Sequence, residues 1–227
     1  MKIKINNLIQ TVSFVLLLCL SSTYNYGQTK ITAFKKMYLQ AAAGGSSNNG
    51  GLSEFSIGTA LKNNWTTTLS YHHINGMTPK NQPSDFDPGY SSFLFIPFAN
   101  ESPSVEMNLF SLTAGKFLKT GKNTWFNAEA GLSLVNGEKV NYTHAIVDQS
   151  GIDPISAIFG MAYKSPNYTA TTEKKTTIGG MFRTDFNWAF SSYAGIGAGV
   201  FANLNSIQSP VGFQVKLMVG WMNRKHK

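Results

Sequence analysis

The sequence predicts an all-β fold: an eight-stranded antiparallel up-and-down transmembrane β-barrel with short periplasmic turns and two long extracellular loops. Three observations lead there. Charged residues make up only 13% of the 227-residue chain, and aromatic residues equally 13%, whereas a water-soluble domain carries about 25% charged residues. Beyond the N-terminus, no stretch has the run of roughly 18 apolar residues that a membrane helix requires. Finally, segment after segment alternates apolar and polar side chains with a period of two, the signature of a strand with two different faces.

The clearest strands lie in the C-terminal half. In 194–204, Ala194, Ile196, Ala198, Val200, Ala202 and Leu204 fall on one face, with Gly195, Gly197, Gly199, Phe201 and Asn203 on the other. In 212–222, Phe213, Val215, Leu217, Val219 and Trp221 alternate with Gln214, Lys216, Met218 and Gly220. In 178–190, Ile178, Phe182, Phe186 and Trp188 oppose Gly179, Met181, Arg183, Asp185 and Asn187. In 125–135, Phe126, Ala128, Ala130, Leu132 and Leu134 oppose Asn127, Glu129, Gly131 and Ser133. Four earlier segments repeat the pattern more weakly: Lys36–Gly44, Ser53–Leu61, Trp65–Ile74 and Val105–Leu118. In the last of these, Phe110, Leu112 and Ala114 are placed outward.

The glycines at 195, 197 and 199 suggest a phosphate loop, but no helical period follows Val200 and the spacing is G-x-G-x-G, not G-x-G-x-x-G. On a strand they share the inward face, where missing side chains leave room for bulkier groups such as Arg183 and Lys216.

The connections sort by length. Those at 62–64, 119–123 and 191–192 are tight, those at 44–51 and 205–210 modest, and 75–104 and 136–174 long. Short turns on one rim and longer loops on the other are the pattern of outer-membrane barrels. Aromatic residues cluster at strand ends beside the tight turns: Trp65, Phe117, Trp125, Trp188, Tyr193 and Trp221, with Phe126 and Phe190. Amphipathic rings favour the membrane–water boundary, so these residues are assigned to a periplasmic girdle. The competing reading is a soluble sandwich or lipocalin-like barrel with its apolar face inward. Long strands, the one-sided girdle and a polar face rich in Gly, Ser and Thr count against it.

Residues 1–27 read as a cleaved signal peptide, with Lys2 and Lys4 before an apolar core from Val12 to Leu20. The alternative is a lipid anchor on Cys19, the chain's one cysteine, although Leu18 precedes it. Removal of the signal leaves no thiol to hold the fold. Residues 28–35 follow as a periplasmic segment, 36–222 as the barrel and 223–227 as a basic tail. The formal charge of +8 is spread without a Lys/Arg stripe, and an exported chain of this kind is not expected to bind nucleic acid.

This architecture resembles the small eight-stranded outer-membrane barrels, the family of the OmpA transmembrane domain and OmpX. The ending "YGQ" of the signal is similar in style to outer-membrane barrel proteins of the Bacteroidetes. The resemblance implies a place in the bacterial outer membrane, contact with its lipid, and assembly by the barrel-assembly machinery. Members end on an aromatic residue that this machinery reads; here Trp221 takes that place, followed by "MNRKHK".

An eight-stranded barrel is just wide enough for its own side chains. Glu54, Glu129, Arg183, Asp185 and Lys216 are therefore expected to form a paired polar network that plugs the lumen; a gated ion path through them is the alternative. No metal or cofactor is expected. His72 and His73 are strand neighbours on opposite faces, and Asp85 and Asp87 lack an EF-hand frame. No catalytic residue is assigned: His144, Asp148 and Ser150 offer the residue types of an acyl hydrolase, but the His-x-Ser motif of lipid A deacylase barrels is absent. Recognition is expected from the loops. Tyr90, Phe93, Phe95 and Phe98 form an aromatic patch suited to an extracellular protein or glycan, and 153–163 could add a short helix.

Overall fold

The computed structural model describes residues 34–93, 96–99, 102–145 and 162–222. The signal peptide, residues 28–33, Phe95, Asp148, Ser150, most of the 153–163 segment and the basic tail lie outside them. Among the described residues, eleven strands are present: β1 (Phe34–Ser46), β2 (Gly50–Leu61), β3 (Trp65–Met77), β4 (Tyr90–Phe93), β5 (Ile96–Ala99), β6 (Val105–Lys119), β7 (Thr124–His144), β8 (Ala162–Lys164), β9 (Tyr168–Ala189), β10 (Ala194–Leu204) and β11 (Val211–Trp221).

Eight of them close into a ring in the order β1-β11-β10-β9-β7-β6-β3-β2. Every pair is antiparallel, and β1 seals against β11 from Met37↔Trp221 to Ser46↔Gly212. The fold is thus an all-β, eight-stranded up-and-down barrel. Closure removes the sheet edge, leaving no backbone row unpaired. The turn at 47–49 carries Asn48 and Asn49 in the left-handed region, and Asn64 does so in the turn after β2. Asparagine tolerates that conformation better than bulkier residues.

Alternation sets the two faces. Lys, Arg, Glu, Asp, Gln, Ser and Thr side chains line the inside, while Leu112, Leu132, Ile178, Phe182, Val200, Phe213, Val215, Leu217 and Val219 face out. A barrel stabilised by water would invert this arrangement. Leu132 is 67% and Trp221 71% exposed, and exposing such apolar surface to water costs free energy that an apolar surrounding medium removes.

The aromatic assignment needs one correction. Trp65, Trp188, Phe190, Tyr193 and Trp221 do face outward at the tight-turn rim, but Phe117 and Trp125 are 2% and 1% exposed inside the barrel. Position next to a turn suggested the girdle, yet parity decides the face. Phe117 shares its phase with Thr113, and Trp125 shares its phase with Asn127 and Glu129, all inward. The two rings stack at 6.1 Å and, with Tyr38, Ala60, Ala189, Met218 and Met222, form an apolar plug at that end.

Two long connections also differ from expectation. β7 and β9 continue past the barrel wall, pairing from Glu138↔Lys174 to His144↔Tyr168. One face of this arm is covered, with Val140 buried and Tyr142 and Ala170 packed beside it, while Lys139 and Thr143 on the other face are exposed. Opposite charges stand directly across the ladder, Glu138 against Lys174 and Lys139 against Glu173, as does one threonine pair, Thr143 against Thr169. Seven strand residues at about 3.4 Å each give an arm roughly 24 Å long. From the other loop, β4 pairs with β5 and with β8, making a small three-stranded sheet. Tyr90, Phe93 and Phe98 belong to it by backbone.

The thin wall of β10 is where backbone approach matters most. A Cβ on Gly199 would lie 2.0 Å from Asp185 Oδ1, and one on Gly197 2.5 Å from Asn187 Oδ1 and 3.0 Å from Lys216 Cγ. The glycines therefore make room for Asp185, Asn187 and Lys216, not for Arg183. Gly199→Val should overpack this site and cost about 1–3 kcal/mol, read as a lower urea midpoint for the folded, fast-migrating gel band. An unchanged midpoint would mean that β10 is not packed against Asp185.

Candidate functional site: the lumen network and the outer arm

Strand parity brings the lumen charges together at one level of the barrel. Arg183 on β9 reaches across to β2, four strands away around the eight-membered ring. Its Nη1 donates to Glu54 Oε1 at 3.1 Å, and its Nε donates to Asp185 Oδ2 at 3.1 Å. Nη2 lies 3.1 Å from the same Asp185 oxygen and 3.5 Å from Gln40 Oε1. Lys216 Nζ stands 2.5 Å from Asp185 Oδ1, and His72 Nε2 stands 3.2 Å from Glu54 Oε2. These last two contacts are close but lie off hydrogen-bond alignment. Two carboxylates thus face one guanidinium and one ammonium, so the network carries no net charge before His72 is counted.

Glu129 stands apart from the others. It accepts from Thr68 Oγ1 at 3.1 Å and from Thr113 Oγ1 at 2.7 Å. Of the five charged residues assigned to the lumen, four share one ion-pair cluster and Glu129 has a hydroxyl cradle of its own. All are buried. The sequence weighs His72 only as a metal ligand, and Gln40, Thr68 and Thr113 are not among its candidates. Parity alone places them inward, but only the β2–β3 register sets His72 opposite Glu54.

Apolar side chains close both ends of the network. On the side away from the tight turns, Ile74, Met77, Met107, Leu109, Val135, Met181 and Phe201 pack together. On the other side lies the Trp125 plug. With the polar layer between them, buried side chains occupy the lumen at each of these three levels, as the width of an eight-stranded barrel allows.

The outer arm carries a second cluster. The connection after β3 folds along it: Asn81 Nδ2 donates to the Val140 carbonyl at 2.7 Å, and Asn167 Nδ2 to the Asp85 carbonyl at 2.6 Å. Phe86 sits edge-on to Tyr142 at 5.4 Å, and Tyr168 lies 6.4 Å from Tyr142 and 4.9 Å from His144. The Tyr168 hydroxyl donates to the Asp85 carboxylate at 3.1 Å. Burial, and then the Asp85 carboxylate, push the Tyr168 phenol above its ordinary value, so it remains a donor. Asp87 and Asn167 bond each other's backbones and side chain, fixing the loop to the arm. Among the described residues, no group of His, Cys, Asp and Glu is placed to hold a metal.

The sequence matches no protein-family model and no curated protein. Solved structures do align with it. The N-terminal β-barrel domain of Pseudomonas aeruginosa OprF aligns with a TM-score of 0.47 at 13% identity, over 82% of this chain and 97% of that one. Neisserial surface protein A (NspA) aligns with a TM-score of 0.47 at 13% identity, over 84% and 98%. The Yersinia pestis outer membrane protein Ail aligns with a TM-score of 0.44 at 9% identity, over 82% and 99%.

Proposed function

We propose that this chain is a bacterial outer-membrane β-barrel, exported by its N-terminal segment, that serves in recognition at its outer rim and performs no chemistry of its own. One observation carries the membrane reading: the closed barrel buries a layer of polar and charged side chains and turns a band of large apolar ones outward. Lipid is the medium in which that distribution is stable, and closed barrels are the β-structures that lipid tolerates. The filled lumen argues for a structural interior over a pore.

The recognition reading rests on the arm and its loop. Asp85, Phe86, Tyr142, His144 and Tyr168 come from two connections and meet on one rigid projection beyond the wall. Ring faces beside a carboxylate and amides suit a glycan or a protein surface. Among the described residues, the His144 ring packs on Tyr168 and its Nδ1 lies 3.1 Å from the Ala145 carbonyl. Replacing 138–174 with a two-residue turn should leave a folded, membrane-inserted barrel and abolish attachment of expressing cells to immobilised extracellular glycans and proteins. Undiminished attachment would remove the arm from recognition.

A further inference from the structure

The tight-turn mouth of the barrel holds a cleft of about 320 Å³ lined by Lys35, Lys36, Lys119, Lys122, Trp125 and Met222, among others. Its charge is one-sided. Within four residues of the three tight turns and of the adjoining ends of β1 and β11 lie Lys35, Lys36, Lys62, Lys116, Lys119 and Lys122, with no Asp or Glu. The lysines are also held in place. Lys36 is buried, bonds the Met222 carbonyl, and lies over the Trp125 ring at 4.1 Å. Lys35 Nζ sits 4.9 Å from the Phe117 ring centre. Lys35 and Lys119 are both near enough to repel the Lys36 ammonium.

We infer that this mouth binds the phosphate headgroup of an anionic membrane lipid. Charge complementarity selects an anion, and depth selects lipid over a free ion. The cleft lies at the strand ends that carry the outward ring of Trp65, Trp188, Tyr193 and Trp221, the level at which headgroups lie. The cations continue onto the lipid-facing side, where the Lys116 ammonium sits 4.2 Å from the Trp65 ring centre. The inference rests on the membrane-barrel reading above.

The test uses the full chain folded in neutral detergent, with retained lipid counted by native mass spectrometry. Wild type should retain phosphatidylglycerol in preference to phosphatidylcholine. K119Q/K122Q should lose that preference by about fivefold per lysine, roughly twenty-five-fold in all. K174Q/K175Q, on the outer arm, should lose none. Equal retention of the two lipids by wild type, or an equal loss in K174Q/K175Q, overturns the site. Inorganic phosphate that competes as well as phosphatidylglycerol overturns the lipid assignment and leaves a soluble-anion cleft. A heat-modifiable band accompanied by no lipid preference fails the cleft alone. A chain that migrates identically boiled and unboiled fails the barrel reading beneath it.

Discussion

Arg183→Leu should be among the most damaging single substitutions in this barrel, lowering folding stability by about 3–5 kcal/mol. The guanidinium is 2% exposed and spans the lumen between Glu54 and Asp185. Its loss leaves Glu54 with only His72 beside it, and Asp185 with only Lys216. Removing one partner of a buried ion pair costs far more than removing both, because the remaining charge stays desolvated. The double variant E54L/R183L should therefore recover most of the loss, since Lys216 and Asp185 still neutralise each other. Urea titrations of the folded gel band measure both. A double variant no better than the single would mean that the Glu54–Arg183 pair does not carry the network.

The second large effect lies on the opposite face. Leu132→Arg places a charge near the middle of the wall segment of β7, on a side chain already 67% exposed. In water such a substitution is close to neutral, within about 0.5 kcal/mol. On the lipid face of a barrel near the bilayer midplane, it costs about 2–4 kcal/mol. The comparison is made by folding wild type and variant into phospholipid vesicles and measuring the shift in folding midpoint. The side chain's exposure is the same for both readings, so only the medium separates them.

Much of this fold was legible because a barrel wall imposes a strict period of two. All eight wall strands fall on the alternating segments, and the inward parity of Glu54, Glu129, Arg183, Asp185 and Lys216 follows from their outward neighbours. What was hidden is where that period stops carrying information. The arm, with Glu138 facing Lys174 and Lys139 facing Glu173, has only Val140, Tyr142 and Ala170 on its covered face, too few apolar positions for hydropathy to mark it as strand. Phe117 and Trp125 were misplaced because closeness to a turn was weighed above phase. His72 entered the network through cross-strand register, which composition does not encode. Room behind Gly197 and Gly199 was foreseen, but its occupants depend on which strand neighbours β10 on each side. That pairing brought Asp185 and Asn187 from β9 and Lys216 from β11.

The central claim is that the apolar outer face meets lipid. It is tested most directly by expressing the full chain in a Gram-negative host, separating outer membranes, washing them with carbonate, and running the pellet boiled and unboiled on one gel. The account predicts a carbonate-resistant protein whose unboiled band migrates faster than its boiled band, because the closed β1–β11 seam keeps the barrel compact in detergent. A protein released by the wash, running at one position with or without heat, would contradict it.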